Sequence, residues 1–134
     1  MAVLETHEQH QELIDELIAD VSAYNPDVDR DLIARAFRFA ADAHEGQHRR
    51  SGEDFVLHPW GAAEICAQLQ LDDETIAAAL LHDVVEDTDV ELDDVRAEFG
   101  DEIAKLARAF AALDDQARLV RRSRKRVSRL SLGV

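Results

Sequence analysis

Four side chains able to bind a metal or move a proton fall within six consecutive positions, His82, Asp83, Glu86 and Asp87, in the stretch Leu80-Leu81-His82-Asp83-Val84-Val85-Glu86-Asp87-Thr88. In a continuous helix these four would lie within an arc of roughly 140°, with Val84 and Val85 turned elsewhere, so one face is chemical and the other apolar. An adjacent His-Asp pair offers one imidazole nitrogen and one carboxylate to a divalent cation such as Zn, Mn, Fe or Mg. Glu86 and Asp87 then remain to handle water. Acidic residues near a helix end, with one histidine among them, more commonly make only a solvated face. Here the preceding run, Ile76-Ala77-Ala78-Ala79-Leu80-Leu81, is apolar all round and reads as a buried helix. Polar groups carried on a buried helix need partners or a ligand, and that favours a site.

The elements that would position this stretch are all helical. Glu5 to about Ala23 has Leu13, Ile14, Leu17, Ile18 and Val21 at helical spacing, and Asn25-Pro26-Asp27 breaks it. A second helix is expected from Val28, with Asp27 as its N-cap and a stripe of Leu32, Ile33, Ala36, Phe37, Ala40, Ala41 and His44. His44 ends that buried face and reads as a core histidine rather than a ligand, whereas His7 and His10 read as solvent-facing. Val56-Leu57-His58-Pro59 enters a third helix, Pro59 suiting its first turn. A fourth, capped by Asp72 or Asp73, carries the His-Asp stretch and ends near Asp87-Thr88. His58 and the His-Asp pair, 24 residues apart, meet if helices three and four pack together.

Between His44 and His58 lies a polar loop with Arg49 and Arg50 side by side, the strongest basic pair in an acidic body. It reads either as solubility or, beside a metal site, as a grip on phosphate or a base edge, with Ser51 assisting. Leu92 to Phe99 makes a short helix closed by Gly100. In the next helix Ile103, Leu106, Phe110, Leu113, Ala117 and Val120 form a seam that a partner helix would bury, which points to a homo-oligomer through this element. Arg121-Arg122-Ser123-Arg124-Lys125-Arg126 interrupts the pattern, and the last dozen residues are expected to fray.

With 134 residues, 46% hydrophobic and 33% charged, the chain fits one soluble domain with its own core. No apolar run approaches the roughly 18 residues of a membrane span, and the N-terminus lacks signal-peptide features, so a cytoplasmic location is expected. Cys66, the single cysteine, permits no internal disulfide and reads as a small core hydrophobe. Residues 1–115 hold all 29 acids and 8 of the 15 basic residues, a net −21, while 116–134 carry +7. A body this acidic repels phosphate backbones, which argues against general nucleic-acid binding by the core.

The segments AHEGQHRRSGEDFVLHP at 43–59, LDDETIAAALLHDVVEDT at 71–88 and FGDEIAKL at 99–106 resemble, in order, the RelA/SpoT hydrolase domain, a branch of the HD metal-dependent phosphohydrolases. The resemblance covers roughly residues 32–106. It implies an all-α HD-domain bundle of about six helices and Mn²⁺-dependent removal of the 3′-diphosphate from the guanosine alarmones ppGpp and pppGpp, giving GDP or GTP and pyrophosphate. It places one metal ion on His58, His82 and Asp83, water activation on Glu86 and Asp87, and the guanine-side loop on Arg49, Arg50 and Ser51, with arginine where lysine is commoner at the second basic position. After residue 106 the chain departs from the family pattern and lacks the motif whose aspartate is the fourth metal ligand. Asp114 or Asp115 could substitute for it, but a solvated helix face explains the pair better. The expected organisation is therefore an HD core at 1–110, incomplete at its C-terminus, and a diverged, partly disordered basic segment at 111–134. The alternative reading is a catalytically impaired alarmone- or nucleotide-binding module lacking that fourth ligand; a third is a relic that pairs with itself through the exposed seam.

Overall fold

A computed structural model describes the backbone of residues 2–45, 56–88 and 90–132, and the side chains in those ranges except at 2–7, 86, 118 and 121–132. The described residues form seven helices and no strand: α1 (Ala2–Ser22), α2 (Arg30–Ala43), α3 (Leu57–Gln68), α4 (Asp73–Leu81), α5 (Val84–Asp87), α6 (Leu92–Phe99) and α7 (Asp101–Leu132). None of these helices is long and apolar enough to cross a membrane.

α4 is the axis of the molecule because its side chains are apolar on every side. Ile76, Ala77, Ala78, Ala79, Leu80 and Leu81 are all fully buried, and α2, α3 and α7 pack around them. Three consecutive alanines let those neighbours approach closely. α1 lies outside, giving Ile14, Leu17 and Val21 to the core, and Trp60 of α3 donates to the Leu13 carbonyl at 3.0 Å. Cys66 is buried as expected, and burial pushes its thiol up.

Several local expectations shift. α2 is capped by Asp29, whose carboxylate accepts from Leu32 N at 3.0 Å. Asp27 instead donates its own amide to Asn25 Oδ1, so the turn keeps that residue and the helix starts later. Asp72 caps α4 by accepting from Thr75 N. His10 is not simply solvent-facing; its ring meets Phe37 edge-on with centroids 5.2 Å apart.

α7 buries only one end of the expected seam. Its buried stripe is Ile103, Ala104, Ala107 and Ala111, while Leu106 and Phe110 are only partly covered and Leu113 and Val120 stand exposed. A helix with small residues on one stripe packs closest along that stripe, and the alanines win the contact with α4 over the larger side chains a third of a turn away. The backbone remains helical to Leu132, through the basic stretch expected to fray; arginine, lysine and leucine are all good helix formers.

Candidate metal centre

The fourth helix does not run unbroken through the His-Asp stretch. α4 ends at Leu81, His82 and Asp83 form a turn, and α5 resumes at Val84 for a single turn. Both turn residues keep right-handed dihedrals, Asp83 with ψ of −13°, so the change is a loosening rather than a reversal. The turn holds His82 and Asp83 inside the protein, 4% and 3% exposed, while Asp87 is exposed and lies outside the cluster described next.

Four side chains converge here: His58 from the start of α3, His82 and Asp83 from the α4–α5 turn, and Asp114 from α7. His82 Nε2 stands 3.0 Å from Asp83 Oδ1 and 3.9 Å from Asp114 Oδ2. His58 Nε2 stands 3.5 Å from Asp83 Oδ2 and 3.6 Å from Asp114 Oδ2. One ligand atom from each lies within 4.8 Å of every other. Bonds of about 2.0–2.2 Å to a common ion place neighbouring donors roughly 3–4 Å apart, so the cluster matches a single first shell.

Two further observations fit an ion. His58 Nε2 is buried with no hydrogen-bond partner although it faces both carboxylates, and a buried polar atom left so calls for a ligand. His82 Nδ1 lies 2.6 Å from the Ala79 carbonyl. A carbonyl only accepts, so Nδ1 carries a proton and Nε2 is the nitrogen turned to the cluster, the orientation a metal ligand needs once Nε2 is unprotonated. Burial alone would lower the His82 pKa, but the Asp83 hydrogen bond and charge, the Ala79 carbonyl and the Asp114 charge together outweigh it and raise the net value. Two imidazoles and two carboxylates also balance the charge of a divalent cation.

The three ligands expected from sequence, His58, His82 and Asp83, are therefore brought together. Asp114, which the sequence favours for a solvated face over a stand-in fourth ligand, joins them at 20% side-chain exposure. A signal was present: Ala104, Ala107, Ala111 and Asp114 follow one another at spacings of three and four, and the apolar stripe simply ends in a carboxylate. His44 is buried at the end of α2 and outside the cluster, as expected of a core histidine. Arg49, Arg50, Ser51 and the Glu86 side chain lie outside the described residues.

An all-helical body carrying a His…His-Asp…Asp cluster around a central apolar helix defines the class, and the comparison with known families agrees: a profile of the HD domain matches residues 36–131. The chain belongs to the HD domain family. The match continues well past residue 106 and takes in Asp114 and most of α7. Among relatives, the chain is 42% identical over 102 residues to a guanosine-3′,5′-bis(diphosphate) 3′-pyrophosphohydrolase of Vibrio cholerae, covering 76% of this chain and 14% of that protein. It is 43% identical over 94 residues to the bifunctional (p)ppGpp synthase/hydrolase SpoT of Escherichia coli, covering 70% of this chain and 13% of the relative. To a GTP pyrophosphokinase of Myxococcus xanthus it is 43% identical over 86 residues, 64% of this chain and 11% of the relative. The domain is thus of the RelA/SpoT type, and the chain spans only a small part of the length of these relatives.

Proposed function

We propose that this domain hydrolyses the 3′-diphosphate of guanosine tetra- and pentaphosphate, releasing pyrophosphate and leaving GDP or GTP, in the cytoplasm and as part of a stringent response. The observation that carries the reading is the convergence of His58, His82, Asp83 and Asp114 from three separate parts of the chain into one cluster. The similarity to the Vibrio cholerae pyrophosphohydrolase supplies the substrate.

In this reading His58, His82, Asp83 and Asp114 hold one Mn²⁺ ion. When bound, such an ion neutralises phosphate charge and makes water more acidic. The rest falls to the chain's own residues. Ala79 fixes the His82 tautomer through its carbonyl, and Asp83 and Asp114 set the spacing of the donors. Glu86 and Asp87 orient the attacking water and take its proton, and Arg49, Arg50 and Ser51 hold the guanine side of the nucleotide. Phosphoryl transfer asks mainly for positioning and charge compensation, and this residue set supplies both. A binding module without a fourth ligand is the weaker reading, because Asp114 stands where that ligand is needed. Exposed Leu113, Leu119 and Val120 on α7 support association of two copies through that helix.

The test is release of pyrophosphate from ppGpp in the presence of Mn²⁺, with metal content measured on the same sample. Turnover that disappears on chelation and returns with Mn²⁺ is the expected outcome; nucleotide binding without turnover removes the enzymatic reading. Glu86→Gln should spare metal content and slow release by roughly 100-fold or more, and an undiminished rate takes Glu86 out of the mechanism.

A further inference from the structure

Of the two imidazoles in the metal centre, only His82 is held by a backbone carbonyl, that of Ala79. Among the described residues nothing does the same for His58, whose Nε2 is buried with no hydrogen-bond partner. Its place in the cluster therefore depends on the turn of backbone that carries it.

That turn is the first of α3, and it starts without a side-chain cap. Val56 occupies the N-cap position and makes no capping hydrogen bond, and Pro59 has no N–H to give. What ties the turn down is Trp60. Its amide closes on the Val56 carbonyl at 3.0 Å, and its indole Nε1 donates to the Leu13 carbonyl of α1, also at 3.0 Å. Two positions along a helix are about 200° apart, so Trp60 leaves α3 on the side away from His58. One of the two residues faces the cluster and the other faces α1. Beside Leu13, α1 is itself anchored, since Ile14 and Leu17 are fully buried. α1 gives no ligand to the centre and lies outside residues 36–131 of the family match.

We propose that Trp60 is a positioning residue for the metal centre: its hydrogen bond to Leu13 makes α1 a strut that holds His58 within 3.6 Å of Asp83 and Asp114. Metal–ligand bonds tolerate only about 0.2 Å of misplacement, so a small drift of the α3 entrance is enough to cost affinity. The inference rests on the Mn²⁺ reading above and deepens it by adding a helix that carries none of the ligands. Coupling between two sites is reciprocal. If α1 steadies His58, an ion on His58 steadies α1 in return.

Hydrogen–deuterium exchange of the whole chain with and without Mn²⁺, beside a Mn²⁺ titration of Trp60→Phe, tests the strut. Phenylalanine keeps an aromatic ring at this position and removes only the N–H donor. In the wild type, saturating Mn²⁺ should slow exchange of the α1 amides at 13–21 several-fold. In Trp60→Phe that slowing should be lost while the α4 amides at 76–81 keep theirs, which separates a local tie from a general gain in stability. The Mn²⁺ dissociation constant of the variant should rise roughly tenfold, the low end of what a lost outer-shell partner costs, with one ion still bound at saturation. A wild-type constant in Trp60→Phe overturns the proposal and leaves Trp60 as a packing residue, even if the variant unfolds more easily. Exchange in α1 that Mn²⁺ leaves unchanged in the wild type overturns it as well, and removes the strut alone. A wild type that binds no Mn²⁺ removes the metal reading and the strut with it.

Discussion

Among the described residues, two groups of side chains come close enough to share one ion. His58, His82, Asp83 and Asp114 do so between α3, the α4–α5 turn and α7; Glu16, Asp20 and Glu64 do so where α1 meets α3. By distance alone the two are equivalent. They differ in donors and in surroundings. The first mixes imidazoles with carboxylates, and His82 and Asp83 are almost wholly buried. The second is carboxylates only, with Glu16 and Asp20 exposed. Its crowding is relieved by a proton: burial first, then the hydrogen bond and charge of Asp20 and the charge of Glu16, push Glu64 up to about 7. Where the first cluster has its charge arranged for a divalent cation, the second discharges itself. Proximity of carboxylates is therefore a poor guide to a metal site unless nitrogen donors and burial accompany it.

That contrast can be broken most forcefully at the His-Asp pair. His82→Ala or Asp83→Ala should abolish Mn²⁺ binding and pyrophosphate release together, and an unchanged metal stoichiometry in either variant would sink the ligand assignment. Asp114→Ala comes next. It should lower Mn²⁺ affinity by at least the roughly 10–100-fold that loss of an outer-shell partner costs; a competition titration giving the wild-type constant would reduce the centre to three ligands.

The smallest effect is expected at the all-carboxylate cluster. Glu64 has a folded-state pKa of about 7 against an ordinary 4.5, so the folded protein holds the extra proton between those values. The associated stability is complete below about pH 4.5 and is lost as pH rises through 7. Glu64→Gln, which mimics the protonated form, should flatten that part of the stability profile in thermal or denaturant unfolding while leaving Mn²⁺ content and turnover untouched. A profile as steep as that of the wild type would mean that some other group carries the dependence.

Much of this is legible in the sequence. The unbroken apolar run Ile76–Leu81 announced a central helix, and the polar groups directly after it stood out because a buried helix does not carry such groups without cause. His58 was identifiable because it opens a helix before Pro59. What the sequence hides on α7 is the stripe that faces the body of the protein. Leu106, Phe110 and Leu113 are the large residues and draw the eye to a seam for a partner helix, with Asp114 beside it. Close packing against the alanines of α4 selects the small stripe instead, and hydrophobic size alone carries no record of which neighbour will approach. The α2 cap was displaced for a related reason: Asp27 and Asp29 are equally good caps in isolation, and the Asx turn closed by Asn25 decides between them.

Because Asp114 sits on α7 and its three companions come from α3 and the α4–α5 turn, the complete cluster exists only when α7 is docked along α4. A cation held by all four residues is then linked to tertiary assembly. At a hundredfold excess over its dissociation constant it would deepen the folded basin by about 2.7 kcal/mol, provided the unfolded chain does not bind it. The carboxylate that completes the centre thus also makes metal supply a thermodynamic clasp on the last long helix.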